Sequence, residues 1–87
     1  MSRRARKLTK SVHSPSQKAF CNLMVKARTQ AGLTQQALAK RLAKPQSFIA
    51  KYEGGERRLD VVEFLTVSRA IGADPIRIIR GLLRDRA

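Results

Sequence analysis

An all-α fold is predicted for this 87-residue chain from three observations. Apolar residues recur at helical spacing from Phe20 to Leu83. Capping residues stand ahead of these runs, and glycines stand behind them at Gly32, Gly54-Gly55 and Gly72. No segment shows sustained strand alternation with hairpin turns. The expectation is five helices packed around one core, preceded by a flexible basic arm over residues 1–13.

Ser14-Pro15-Ser16-Gln17 reads as the start of the first helix. Ser14 can cap, Pro15 suits the first helical position, and Gln17 falls where a capping box needs its amide. Phe20, Leu23, Met24, Ala27 and Ala31 then form one apolar stripe. Gly32 ends the helix, because glycine takes the left-handed conformation after a helix at little cost. Thr34 caps a second helix with Leu38, Ala39 and Leu42 on its apolar face. Ala43-Lys44 forms the turn, and Pro45 opens a third helix that carries Ile49 and Tyr52 inward. Asp60 caps a fourth helix, with Glu63 completing a capping box. Its buried face is expected to be Val61, Phe64, Leu65, Ser68 and Ile71. Asp74-Pro75 starts the fifth, with Ile76, Ile79 and Leu83 on one side and Ile78 and Leu82 adjoining.

Composition bounds the partners. Nineteen Lys and Arg oppose six Asp and Glu, a formal charge of +13. Such a balance points to a polyanion: DNA, RNA or an acidic membrane surface. The lone Cys21 cannot form an intramolecular disulfide and reads as a packing residue in a reducing compartment. No apolar run approaches the roughly 20 residues of a membrane-spanning helix, and the basic start lacks the apolar stretch of a secretory signal. A cytoplasmic protein is expected. Residues 1–13 hold Arg3, Arg4, Arg6, Lys7 and Lys10 with few apolar side chains, too little to offset the entropy of ordering. They read either as an arm that tracks phosphates or enters a minor groove, or as a solvated tail. Residues 14–87 form the single domain.

Within it, residues 34–53 read as two short helices joined by a tight turn. Ala39 is small enough for a close crossing, and Ile49 and Tyr52 pack inward. Gln46, Ser47, Ala50 and Lys51 are left on the outward side of the third helix. Their chemistry suits base edges in a major groove. Glutamine bonds adenine bidentately, lysine donates to guanine or phosphate, and alanine contacts the thymine methyl. Phe48 has two readings, a thymine contact or a side chain folded under toward the core.

Residues 17–72 resemble the lambda-repressor-like, Cro/cI-type helix-turn-helix family, also called the xenobiotic-response-element (XRE) family. The resemblance is carried by Ala31-Gly32-Leu33-Thr34-Gln35, Leu38-Ala39, Gln46-Ser47, Ile49 and Tyr52-Glu53-Gly54-Gly55. It implies a compact five-helix DNA-binding domain in which Gln35, behind the Thr34 cap, bonds a phosphate. It further implies base reading by Gln46 and Ser47, with Ala50 and Lys51 one turn on. Arg57 and Arg58 would grip the far phosphates, and Arg28 would pair with Glu53 as a structural anchor. Two departures stand out. Ala43 occupies the turn position where the family has glycine, which costs about 1–2 kcal/mol if the left-handed conformation is kept. Pro45 replaces the usual Ser or Thr cap of the third helix.

The reading is a small sequence-specific DNA-binding transcriptional regulator, a repressor, with double-stranded DNA as partner at the nucleoid. A homodimer is expected because one reading helix buries little surface. The C-terminal helix, 75–85, could supply the interface, or both of its apolar stripes could be core. The alternative is an antitoxin or adaptor that chiefly binds a protein partner. No metal-ligand cluster, cofactor motif or catalytic constellation is present, so the chain reads as a non-enzyme without cofactor or metal.

Overall fold

The computed structural model describes residues 14–86, with side chains described as far as Arg84. The expected arm at residues 1–13 lies outside the described residues. Five helices follow in order: α1 Pro15–Gln30, α2 Gln35–Leu42, α3 Gln46–Glu53, α4 Val61–Ile71 and α5 Pro75–Arg86. Among the described residues there is no strand.

Local chemistry sets the boundaries. Ser14 Oγ accepts from Gln17 N–H at 3.1 Å, so the first cap forms. Its reciprocal half does not: the Gln17 amide turns to Cys21 Sγ at 4.0 Å. Thr34 Oγ1 accepts from Ala37 N–H at 3.0 Å. At α4 the box is complete, with Glu63 N–H donating to Asp60 Oδ1 at 2.7 Å and Asp60 N–H donating to Glu63 Oε1 at 2.9 Å. Helix α3 begins one residue later than expected. Pro45 is its N-cap, in extended conformation and without a side-chain hydrogen bond. Gly72 closes α4 in the left-handed region at φ 86°.

The core gathers Met24, Leu38, Ala39, Ile49, Tyr52, Phe64, Val67, Ile71 and Ile78, with Phe20, Leu23 and Leu42 at its margin. Phe20 and Phe64 meet edge to face at 5.5 Å, joining α1 to α4. Cys21 is buried, and its thiol donates to the Tyr52 carbonyl at 3.2 Å. Burial pushes that thiol up from its ordinary pKa, which suits packing rather than nucleophilic chemistry. Ser68, fully buried, satisfies its hydroxyl on the Phe64 carbonyl one turn back at 2.8 Å. The Tyr52 hydroxyl is buried without a hydrogen-bond partner. An orphaned donor of this kind costs roughly 1–3 kcal/mol, so α3 is held by the ring and not by the hydroxyl.

Two expectations about faces, at Val61 and Ala31, are corrected, and the two alternatives for the α5 stripes are decided. Val61 is 72% exposed, and Val67 takes its place on the inner stripe of α4. Val61 sits in the first turn beyond Asp60, before the helix has crossed onto the core. On α5 the stripe of Ile76, Ile79 and Leu83 faces outward, with Leu83 60% exposed, while Ile78 and Gly81 are buried. A Cβ on Gly81 would meet Leu23 Cδ2 at 3.2 Å, so α5 lies close against α1 on that side. Ala31, placed on the α1 stripe, is exposed at the helix end.

The turn between α2 and α3 keeps the left-handed geometry despite its alanine, with Ala43 at φ 54° and ψ 42°. Ala43 N–H bonds the Lys40 carbonyl at 3.2 Å and Lys44 N–H bonds the Ala39 carbonyl at 3.0 Å, which ties the turn down. Ala43→Gly should therefore raise stability by about 0.5–1 kcal/mol, the relieved Cβ strain less the added freedom of the unfolded chain. Urea denaturation tests this; an unchanged or lowered midpoint would mean that the turn stores no strain.

Candidate nucleic-acid interface

Helix α3 is half in the core and half out of it. Ile49 and Tyr52 are buried, whereas Gln46, Ser47, Ala50 and Lys51 are all exposed. The eight-residue helix makes this division by simple periodicity, since 49 and 52 share a face that 46, 47, 50 and 51 do not. Phe48 falls between them. It is half-buried and meets Tyr52 edge to face at 5.7 Å, so it folds under the helix toward the core.

Arg28 and Glu53 meet in a two-pronged ion pair, with Nε to Oε2 at 2.7 Å and Nη2 to Oε1 at 3.0 Å. The Glu53 side chain is only 5% exposed and the Arg28 side chain 12%. Arg28 Nη1 also donates to the Leu33 carbonyl at 2.8 Å. One side chain thus ties α1, the loop into α2 and the end of α3 together. The hydrogen bonds to Glu53 push the Arg28 guanidinium still further above its ordinary pKa.

From Glu53 a chain of amides runs outward. Gln35 Nε2 donates to Glu53 Oε1 at 2.9 Å, and Gln46 Nε2 donates to Gln35 Oε1 at 3.2 Å. An ionised carboxylate accepts only, so it dictates the direction of both amides. Gln46 is left with its amide oxygen and one N–H unspent, an acceptor and a donor. That pair matches the N6 donor and N7 acceptor of adenine in a major groove.

Thr34, at the α2 N-terminus, shares a shallow surface groove with Gln36, Ala37, Lys40, Lys44 and Gln46. Gln36, Lys40 and Lys44 were not among the contact residues expected from the sequence. Their position i+1, i+5 and i+9 after Gln35 is a signal only once the crossing of α2 and α3 is known. Arg41 was missed as well; its Nη1 donates to the Ala70 carbonyl at 2.8 Å, stitching α2 to the end of α4.

Beyond α3, Arg57 is engaged rather than loose. It forks onto Glu63 at 3.1 and 2.7 Å, bonds the Arg58 carbonyl at 3.0 Å, and lies 4.8 Å from the centre of the Phe48 ring. Lys44 Nζ sits 5.5 Å from the same ring. Arg58 is exposed. The described residues thus bring Gln35, Gln46 and Glu53 into one network with Arg28. Arg57 joins a separate cluster with Phe48 and Glu63. Among the described residues no group of His, Cys, Asp or Glu could hold a metal ion, and no helix is long and apolar enough to cross a membrane.

A short, half-exposed helix anchored behind a crossing helix and a tight turn defines a helix-turn-helix module. The chain belongs to the XRE family of helix-turn-helix DNA-binding transcription regulators. The helix-turn-helix family model matches residues 24–78. A solved XRE-family-like protein from Pseudomonas syringae pv. tomato strain DC3000 is 43% identical, with a TM-score of 0.79 over 87% of this chain and 93% of the other. The restriction-modification controller protein C.Esp1396I, solved as a point mutant, has a TM-score of 0.74 at 19% identity. That match covers 83% of this chain and 91% of the controller protein, and is a likeness of fold. No curated protein matches the chain.

The Arg28–Glu53 network and the Arg57–Glu63 pair each make a testable prediction. Arg28→Ala should destabilise the domain by roughly 3–5 kcal/mol, because it strands a buried carboxylate. Arg28→Ala with Glu53→Gln should recover part of that loss in urea melts; strictly additive losses would show that the two side chains act independently. Glu63 is held at about 2, below its ordinary 4.5, first by the Arg57 fork and then by Asp60 N–H. A lowered folded-state pKa means that its contribution is complete above about 4.5 and is lost as pH falls through about 2. Glu63→Gln should start less stable and show a flatter acid limb over that window. Parallel limbs would remove Glu63 from the acid response.

Proposed function

We propose that this protein is a sequence-specific repressor that inserts α3 into the major groove. The observation that supports this most directly is the outward set Gln46, Ser47, Ala50 and Lys51, with the Gln46 amide already oriented by Glu53 through Gln35. In this reading Gln46 and Ser47 contact base edges first, and Ala50 and Lys51 follow one turn on. Thr34 and Gln35 meet one phosphate strand at the α2 N-terminus, where unpaired backbone N–H groups and the helix dipole favour an anion. Lys40 and Lys44 extend that contact. Arg57 and Arg58 meet phosphates beyond α3. Arg28 and Glu53 hold the reading helix at its depth and touch no DNA.

The protein acts as a homodimer in this proposal, working in the cytoplasm at the nucleoid. The outward stripe of Ile76, Ile79 and Leu83 supports pairing through α5, since it leaves a row of large apolar side chains in solvent. Two reading helices related by a twofold axis would meet half-sites about 10 base pairs apart. The same apolar stripe also suits a different protein, which keeps the antitoxin or adaptor reading as the alternative.

Selection of bound duplexes from a random pool tests the proposal. The wild-type protein should enrich a palindrome, and Gln46→Ala should lose preference at one position per half-site at a cost of about 1–3 kcal/mol. An asymmetric consensus would remove the dimer. Equal loss of affinity on every sequence would remove Gln46 from base reading.

A further inference from the structure

The arginine that follows α3 is restrained in a way that a simple phosphate-seeking cation does not require. A guanidinium has five N–H donors and two forks, one formed by the two Nη tips and one by Nε with the near hydrogen of Nη2. Glu63 occupies the tip fork of Arg57, from Nη1 to Oε1 at 3.1 Å and Nη2 to Oε2 at 2.7 Å. The second hydrogen of Nη1 goes to the Arg58 carbonyl at 3.0 Å. Nε–H and one hydrogen of Nη2 remain unspent, and together they are the side fork. The Arg57 side chain is still 39% exposed, so solvent reaches it.

Three groups set the plane of that fork. The Phe48 ring lies 4.8 Å away and limits the tilt of the guanidinium. Glu63 fixes the direction of the tips, and is itself fixed because it accepts the Asp60 N–H at 2.9 Å in the α4 capping box. The restraint therefore starts in the α4 cap and ends in a donor pair beside the reading helix. We propose that Glu63 and Phe48 are positioning residues that present the unspent side fork of Arg57 to a DNA phosphate while the Glu63 ion pair stays intact. The inference rests on the proposed phosphate contact of Arg57 and adds how that contact is built. Little side-chain entropy is then lost when phosphate arrives, because the arginine is already ordered.

Charge counting alone gives the opposite expectation for one variant, and this makes the idea testable. Glu63 is an anion near the phosphate path, so removing its charge should tighten binding if Arg57 acts as a point charge. If Glu63 positions Arg57, Glu63→Gln should weaken binding several-fold even though the net charge rises by one. Anisotropy titrations with a short fluorescent duplex of random sequence, over a salt series, read both effects. Arg57→Lys should weaken binding by about tenfold with an unchanged salt slope, since the charge stays and the fork is lost. Phe48→Leu should weaken binding in the same direction. Circular dichroism melts confirm that each variant is folded at the titration temperature.

A measurement on the wild-type protein keeps the test independent of folding defects. The Arg57 Nε–H resonance should shift on titration with the duplex, while the downfield position of a paired Glu63 carboxylate carbon persists. Equal or tighter binding by Glu63→Gln, or a stationary Nε–H signal, would overturn the proposal. Arg57→Ala separates it from the parent reading. A salt slope reduced by about one keeps Arg57 on the phosphate, so tight binding by Glu63→Gln would then sink the positioning role alone. An unchanged slope would remove both.

Discussion

The domain depends on holding a two-turn helix at a fixed depth, with one face in the core and the other in solvent. An isolated helix of that length is marginal in water, so tertiary contacts must supply its order. Ile49 and Tyr52 supply the apolar part. The Arg28–Glu53 pair supplies direction, because it joins the end of α3 to the last turn of α1 and, through the Leu33 carbonyl, to the loop before α2. A buried pair of this kind is poor evidence for net stability, since desolvation offsets much of the attraction. Its value lies in geometry: few other arrangements of α1, α2 and α3 satisfy both charges at once.

The same carboxylate has a second effect. As an acceptor without donors it orients Gln35, and through it Gln46, so a buried charge determines which atoms a surface residue offers. The acids of the chain are largely spent in such internal tasks. Glu53 and Glu63 hold arginines, while Asp60 and Asp74 accept backbone N–H groups at helix starts. Few acidic side chains are left to quench the +13 charge, and the outer surface keeps a positive field suited to phosphate.

Particular residues show where reading the chain succeeded and where it ran short. Thr34, Asp60 and Gly72 were legible because each cap acts within a few residues of itself, and the structure has them capping as their chemistry requires. Ile49 and Tyr52 were legible because helical periodicity is local too. Val61 was misplaced because it shares the phase of Phe64 and differs only in lying beyond the edge of the core. The two stripes of α5 are equally apolar, and nothing within the helix says which one α1 will cover. Arg57 was legible as a basic loop residue, but its fork onto Glu63 and its stack on Phe48 join three segments.

The sequence by itself determined the helices, their order, the outward side of α3 and the polyanion partner implied by its charge. These follow from short-range rules in which every participant lies within a turn or two of the next. Only the tertiary structure decided how deep α3 sits, which stripe of α5 meets solvent, and how Glu53 reaches Gln46 through Gln35. The physical reason is that burial and hydrogen-bond direction depend on which distant groups arrive. Spacing along a chain carries no record of the atoms it will meet across the core.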